Sequence, residues 1–350
     1  MTSFSWPKDK PVYQNGWMKM RREAKHPPKD PDCSFKGKTV VVTGANAGLG
    51  LEAAIKYAEK GCSKLILGVR SQEKGEATKK TILSRLPSYP ADAISIEIAD
   101  YSSFASITSL AHSLATSHPE IDILASNAGL VAPTFSRTSD GHETALQVNY
   151  LSHMLLAILL LPTLISTGKT RDSPSRIVFT SSMAHLAVKP AHIPAAVPSK
   201  LSLREALEDP ANHTKLFHYG MTKMLLQTGI QNLTNALDAV PHAPIILGCC
   251  PAAVHTGIWN DKGALGALLK GAIWVVARTP EEGARTLVSA ATLGEEARGG
   301  FWKNDLLNEE VPNLERGVFE AISKRDWEDV VGLLEGVEPE VGRILGGLRG

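Results

Sequence analysis

Short apolar runs alternate with longer amphipathic stretches from Gly37 onward, and this pattern predicts a parallel sheet with helices on both faces. Runs of strand length fall at 39–43 (TVVVT), 65–69 (LILGV), 94–98, 121–126, 176–180 and 245–249. Helical patterning covers 51–60, with Ala53, Ala54, Tyr57 and Ala58 on one face, then 73–86, about 141–165, and 216–237. Ser102, just past Asp100, is placed to cap another helix. Residues 183–209 mix prolines with no clear period and read as an irregular insert with one short helix near Leu203. A helix starts at Pro280, in its first turn; a last strand is expected near 300–302 and a C-terminal helix at about 314–334. The resulting division is an N-terminal arm at 1–36, one α/β domain at 37–303 and a helical extension at 304–350.

Composition narrows the class. With 43% hydrophobic residues and no Gly/Ser/Pro-rich linker, the chain can bury one sizeable core rather than two. A net charge of +1 supplies no global field for nucleic acid or an anionic membrane. The stretch through Lys38 is locally basic and proline-bearing, and a solvated arm is favoured over one packed across the domain. Cys33, Cys62, Cys249 and Cys250 lack zinc spacing, so no metal is expected, and a reduced, cytoplasmic protein is. The N-terminus has no secretory-signal pattern. The apolar run 154–165 falls short of the roughly 20 residues that span a bilayer and contains Pro162, so a buried helix is expected and no transmembrane segment.

Two motifs carry chemistry. Thr43 to Gly50 (TGANAGLG) joins the first strand to the first helix. Gly44 permits a tight turn, Gly48 lets backbone approach a pyrophosphate, and Gly50 allows close packing of helix on strand. With Asn46 and Leu49 they are the expected cofactor contacts, the helix N-terminus offering free N–H groups to phosphate. The second strand ends at Gly68-Val69-Arg70-Ser71 with no carboxylate, so Arg70 is expected to grip a 2′-phosphate, which favours NADP(H) over NAD(H). Asp100 can accept from the adenine amino group or cap the next helix; both readings stand.

Far downstream, Tyr219 and Lys223 lie four apart on a predicted helix, hence on one face. A nearby ammonium favours the phenolate and would draw the phenol's pKa from near 10 toward a useful range. Lys223 would also hold the nicotinamide ribose hydroxyls, so Tyr219 and Lys223 count among the expected cofactor contacts. Ser182, after the fifth strand, would orient a substrate oxygen, with Ser181 structural. Asn149, unusual inside a helix, either holds a water linking Lys223 to solvent or satisfies local backbone.

These residues resemble the short-chain dehydrogenase/reductase family from about Phe35 to Trp302, and VRSQEKGEA, SSMAH, YGMTK and TPEEGA look like its retinol-dehydrogenase-like branch. The resemblance implies a Rossmann-type doubly wound sheet of about seven strands and an Asn149–Ser182–Tyr219–Lys223 tetrad. It implies Asp100 and Asn127 on the adenosine side, Val254 and Thr256 beside the nicotinamide and its phosphates, and homo-oligomers in many members. Two departures stand out. The family's N-N-A-G is Ser126-Asn127-Ala128-Gly129 here, and its P-G-x-V-x-T has Ala252 in place of glycine. The basic N-terminal preamble is similar to fungal pathway reductases acting on polyketide or terpenoid intermediates. Residues 264–277 (ALGALLKGAIWVVA) read as an apolar lid for a bulky ketone, aldehyde or alcohol, or equally as a core helix or oligomer contact. The expected activity is NADP(H)-dependent carbonyl–alcohol interconversion; the alternatives are a retinol- or steroid-type alcohol dehydrogenase and a non-catalytic NADP-sensing protein.

Overall fold

The computed structural model describes residues 23–214, 217–255, 277–308 and 314–348. Seven strands run parallel: β1 (Thr39–Thr43), β2 (Lys64–Val69), β3 (Ile94–Ile98), β4 (Ile123–Ser126), β5 (Arg176–Thr180), β6 (Ile245–Cys249) and β7 (Phe301–Lys303). An eighth, β8 (Leu306–Asn308), pairs antiparallel with β7. The order β3-β2-β1-β4-β5-β6-β7-β8 is that of a doubly wound, Rossmann-type sheet. The chain travels outward from β1 to β3 and returns to place β4 on the other side, which opens a crevice at the carboxyl ends of β1 and β4.

Alternation along each strand feeds two cores. Val40, Val42, Leu65 and Leu67 face one side, while Val41, Ile66, Leu124 and Phe179 face the other. The first face is covered by α1 (Gly48–Glu59), α2 (Gln72–Arg85) and α7 (Pro280–Ala290). The second is covered by α3 (Phe104–Ser117), α4 (Thr144–Arg171) and α6 (Phe217–Ala236). Over α6 and α4 lie α8 (Arg316–Val337) and α9 (Glu340–Gly347), and α5 (Leu203–Leu207) is the short helix of the insert.

Several expectations change. The helix α4 is 28 residues long and apolar enough, by length and composition, to cross a membrane. Yet 83% of its most apolar window is buried inside the protein, so it is a core helix, and Pro162 lies within it without ending it. Ser103, not Ser102, caps α3 by accepting from Ser106 N. The sheet continues past 303 because Asn304 and Asp305 both adopt left-handed φ (53° and 57°), the geometry of a two-residue hairpin turn into β8.

The described part of the N-terminal segment is not a solvated arm. The Glu23 carboxylate meets Lys303 Nζ at 2.7 Å, and Arg278 donates to the carbonyl oxygens of Glu23 and His26. Asp30 bridges Lys56 and Lys60, and Phe35 packs edge-on against Tyr57. Arg278 and Lys303 are buried cations, and such groups are stable only when oxygen partners enclose them. The segment supplies those oxygens.

Candidate active site

The glycine turn follows β1. Gly44 takes φ +65°, open to glycine at little cost. A Cβ at Gly50 would stand 2.2 Å from the Gly44 carbonyl oxygen, so no larger residue fits. Ala47 gives α1 no side-chain cap, and its first turn carries no acidic residue. Its opening N–H groups therefore lack a side-chain partner and face an electropositive helix end, the arrangement that accepts a pyrophosphate. The cradle fits a dinucleotide, which Gly44, Asn46, Gly48, Leu49 and Gly50 would hold.

Asn127 clips three strand ends together. Its backbone N donates to Thr43 Oγ1 (3.0 Å), its Nδ2 to the Thr43 carbonyl (3.1 Å), and its Oδ1 accepts from Thr180 Oγ1 (3.1 Å). It is a backbone organiser at the crevice floor. Leu49 and Val254 come together on α7, where a Cβ at Gly283 would lie 2.7 Å from each side chain. Arg70 is exposed at the tip of β2, and Ser71 caps α2 through Lys74 N. Asp100 accepts from the backbone N and the hydroxyl of Ser102, so its turn role is visible in the hydrogen bonds. Thr256 and residues 264–276 of the expected lid lie outside the described residues.

At the carboxyl end of β5 the catalytic candidates converge. The Ser182 hydroxyl hydrogen-bonds the Tyr219 phenol. Lys223 Nζ donates to the Thr180 carbonyl at 2.8 Å and lies 5.8 Å from the Tyr219 ring centroid. Asn149 Oδ1 accepts from Leu130 N (3.0 Å), while its Nδ2 donates to Leu130 O (2.9 Å) and Thr222 Oγ1 (3.1 Å). The backbone-satisfying reading of Asn149 is thus the one drawn in hydrogen bonds. A π turn over Gln147–Leu151 within α4 presents it there. Ser181 is buried, its backbone N bonded to the Cys249 carbonyl.

The electrostatics differ from expectation. Tyr219 is half-buried, but its hydroxyl end is enclosed, and burial pushes the phenol well above its usual range against the pull of the Ser182 bond. Burial also lowers the Lys223 ammonium to about 8. Both shifts have burial as their largest cause, which disfavours the charged form of each group. The resting pair is a protonated phenol beside a weakened ammonium.

His153 went unnoticed in the sequence. It is fully buried; Nε2 sits 2.8 Å from the Ala128 carbonyl and must donate, so Nδ1 accepts from Ser126 Oγ at 2.6 Å. Burial first, then Lys223, holds it neutral, with a pKa of about 3. Ser126, the departure from N-N-A-G, is therefore spent on this histidine. The other departure is accommodated: Ala252 adopts φ 66°, the left-handed backbone that glycine would favour.

Fold and crevice together define a dinucleotide-binding α/β protein. A family model described as short chain dehydrogenase matches residues 38–215. The short-chain dehydrogenase/reductase phmF of Phaeosphaeria nodorum is 37% identical over 326 residues, 92% of this chain and 94% of that protein. The short-chain dehydrogenase/reductase ffsI of Aspergillus flavipes is 34% identical over 92% of this chain and 93% of its own length. The chain belongs to the short-chain dehydrogenase/reductase family, oxidoreductases that use NAD(P). Solved structures agree on the fold. A short-chain dehydrogenase/reductase of unknown function from Caenorhabditis elegans, with cofactor, superposes at TM-score 0.57 and 20% identity, covering 80% of this chain and 94% of that one. A putative NAD(P)-dependent gluconate 5-dehydrogenase from Beutenbergia cavernae, with bound NADP, gives 0.55 and 19%, covering 78% and 96%.

Proposed function

We propose that this protein is an NADP(H)-dependent reductase of a bulky hydrophobic ketone or aldehyde, serving a fungal-type secondary-metabolite pathway. The convergence of Ser182, Tyr219 and Lys223 at the carboxyl end of β5, beside the glycine turn, carries this reading. The nicotinamide dinucleotide, when bound, supplies hydride to the carbonyl carbon. Ser182 donates a hydrogen bond to the carbonyl oxygen and aligns it with the Tyr219 phenol. Tyr219 then gives its proton to that oxygen, and its high resting pKa means the proton is in place before the reaction starts. Lys223 stabilises the phenolate that remains, and Asn149 keeps the Leu130 backbone and the Lys223 helix in register.

The cofactor preference rests on Arg70, exposed at the β2 tip, where no carboxylate would repel a 2′-phosphate. The apolar sequence at 264–277 supports a hydrophobic substrate, and the fungal relatives support a fungal-type pathway.

The test is turnover of NADPH and of NADH with a panel of apolar ketones and aldehydes, followed by loss of reduced-cofactor absorbance. Tyr219→Phe is expected to lose about 10²- to 10⁴-fold in kcat with cofactor binding retained; a wild-type rate would remove Tyr219 as the acid. Arg70→Ala is expected to weaken NADPH binding about tenfold or more and NADH binding little. Equal losses would end the 2′-phosphate assignment.

A further inference from the structure

Glu143, His213 and His218, none of them assigned to the cofactor or substrate, bring donor atoms within 4.8 Å of one another. Glu143 is fully buried at the N-terminus of α4; its Oε2 accepts from Leu146 N at 2.7 Å and lies 2.8 Å from His218 Nε2. Its other oxygen, Oε1, has no hydrogen-bond partner, and neither has His218 Nδ1, although His218 is only 1% exposed. His213 has both ring nitrogens without a partner. The Pro133 carbonyl lies beside the His213 ring.

A buried carboxylate needs a compensating cation. Among the described residues no lysine or arginine forms an ion pair with Glu143; His218 is its one ionic neighbour. A simple polar triad would spend a His213 nitrogen on the carboxylate, and this one does not. Two imidazoles and a carboxylate are instead the donor set that suits Zn²⁺, with a nearby backbone carbonyl in the place where a ligating histidine commonly sends its second N–H.

We propose that Glu143, His213 and His218 form a binding site for a divalent transition-metal ion of the zinc class, pinning the start of α4 to the start of α6. Bonds of about 2.0–2.1 Å in a tetrahedron put ligand atoms about 3.3 Å apart. The Glu143–His218 pair, at 2.8 Å, must open slightly while His213, half-buried and ahead of α6, closes in. Its ring packs edge-on to Phe135 (6.0 Å) and tilted against His218 (4.5 Å), which already aims it inward. An ion held here would fix the backbone one residue before Tyr219. His213 and His218 stand five residues apart, while Glu143 lies far upstream, so no single compact motif marks the full set.

The experiment is independent of turnover. Full-length, tag-free protein is stripped with a chelator and titrated with Co²⁺, whose visible absorption bands report four-coordinate binding. Wild type should develop those bands at about one equivalent and lose them on adding Zn²⁺. His213→Ala, at a half-buried position, should keep a native circular-dichroism spectrum and lose the bands. Glu143→Gln, which retains an acceptor for Leu146 N, should weaken Co²⁺ binding at least tenfold. Absence of the bands in wild type, or unchanged bands in His213→Ala, would overturn the site.

Discussion

Lys223 is a buried cation in the candidate active site. It is 2% exposed, its ammonium donates to the Thr180 carbonyl, and burial lowers its pKa from 10.5 to about 8. At about 1.4 kcal/mol for each tenfold change in proton affinity, the charged form is about 3 kcal/mol worse in the folded chain than in the unfolded one. The folded pKa of a base is depressed here. Between about pH 8 and 10.5 the unfolded chain therefore holds a proton that the folded chain has released, and stability rises with pH across that window. Lys223→Met keeps the length and packing of the side chain and removes the titration. Urea unfolding of both proteins across that range isolates the term, since every other group titrates in both. Wild-type stability minus variant stability should climb by about 3 kcal/mol from neutral to alkaline pH. The offset at neutral pH is less informative, because the lost bond to Thr180 is itself worth about 1.5–3 kcal/mol. A flat difference would refute the claim that the reaction pocket holds this lysine against a desolvation penalty.

Two further outcomes follow from the same structure. Ala252→Gly should raise the thermal midpoint, with a gain of up to about 1 kcal/mol, because φ 66° strains any residue with a Cβ; a lower midpoint would contradict that. Burial raises the Asp326 carboxyl to about 7, so its contribution is present below about pH 4 and is lost as pH rises through about 7. Asp326→Asn keeps an acceptor for Arg204 N and should gain stability over wild type between about pH 5 and 8, by up to a few kcal/mol. Parallel pH curves from urea unfolding would show that the carboxyl is ionised throughout.

The strands were legible because each is a short apolar run flanked by turn residues; 39–43, 94–98, 176–180 and 245–249 match the structure to the residue. The glycine turn and the Tyr219–Lys223 pair were legible because local spacing alone puts them on a turn and on one helix face. Features that depend on distant partners were not. The packing of Glu23 is set by Arg278 and Lys303, and the role of Ser126 by His153, none of which sequence proximity reveals. β8 escaped notice because three residues carry too little pattern, and its cause is backbone handedness at Asn304 and Asp305. The protonated state of the Tyr219 phenol is not legible in the motif, which shows a neighbouring amine but not the depth of burial around it.

The π turn in α4 has a consequence for the tolerance of this helix to change. Five residues fill a span where regular winding would use fewer, so the segments on either side are out of phase. Deleting one residue between 147 and 151 would let the winding relax to a regular helix with the segments on either side kept in place, so Glu143 should stay beside His218. What would be lost is the local widening that carries the Asn149 amide to Leu130. Elsewhere along this buried rod there is no such slack, and a one-residue change in length would turn one side by about 100° against the other.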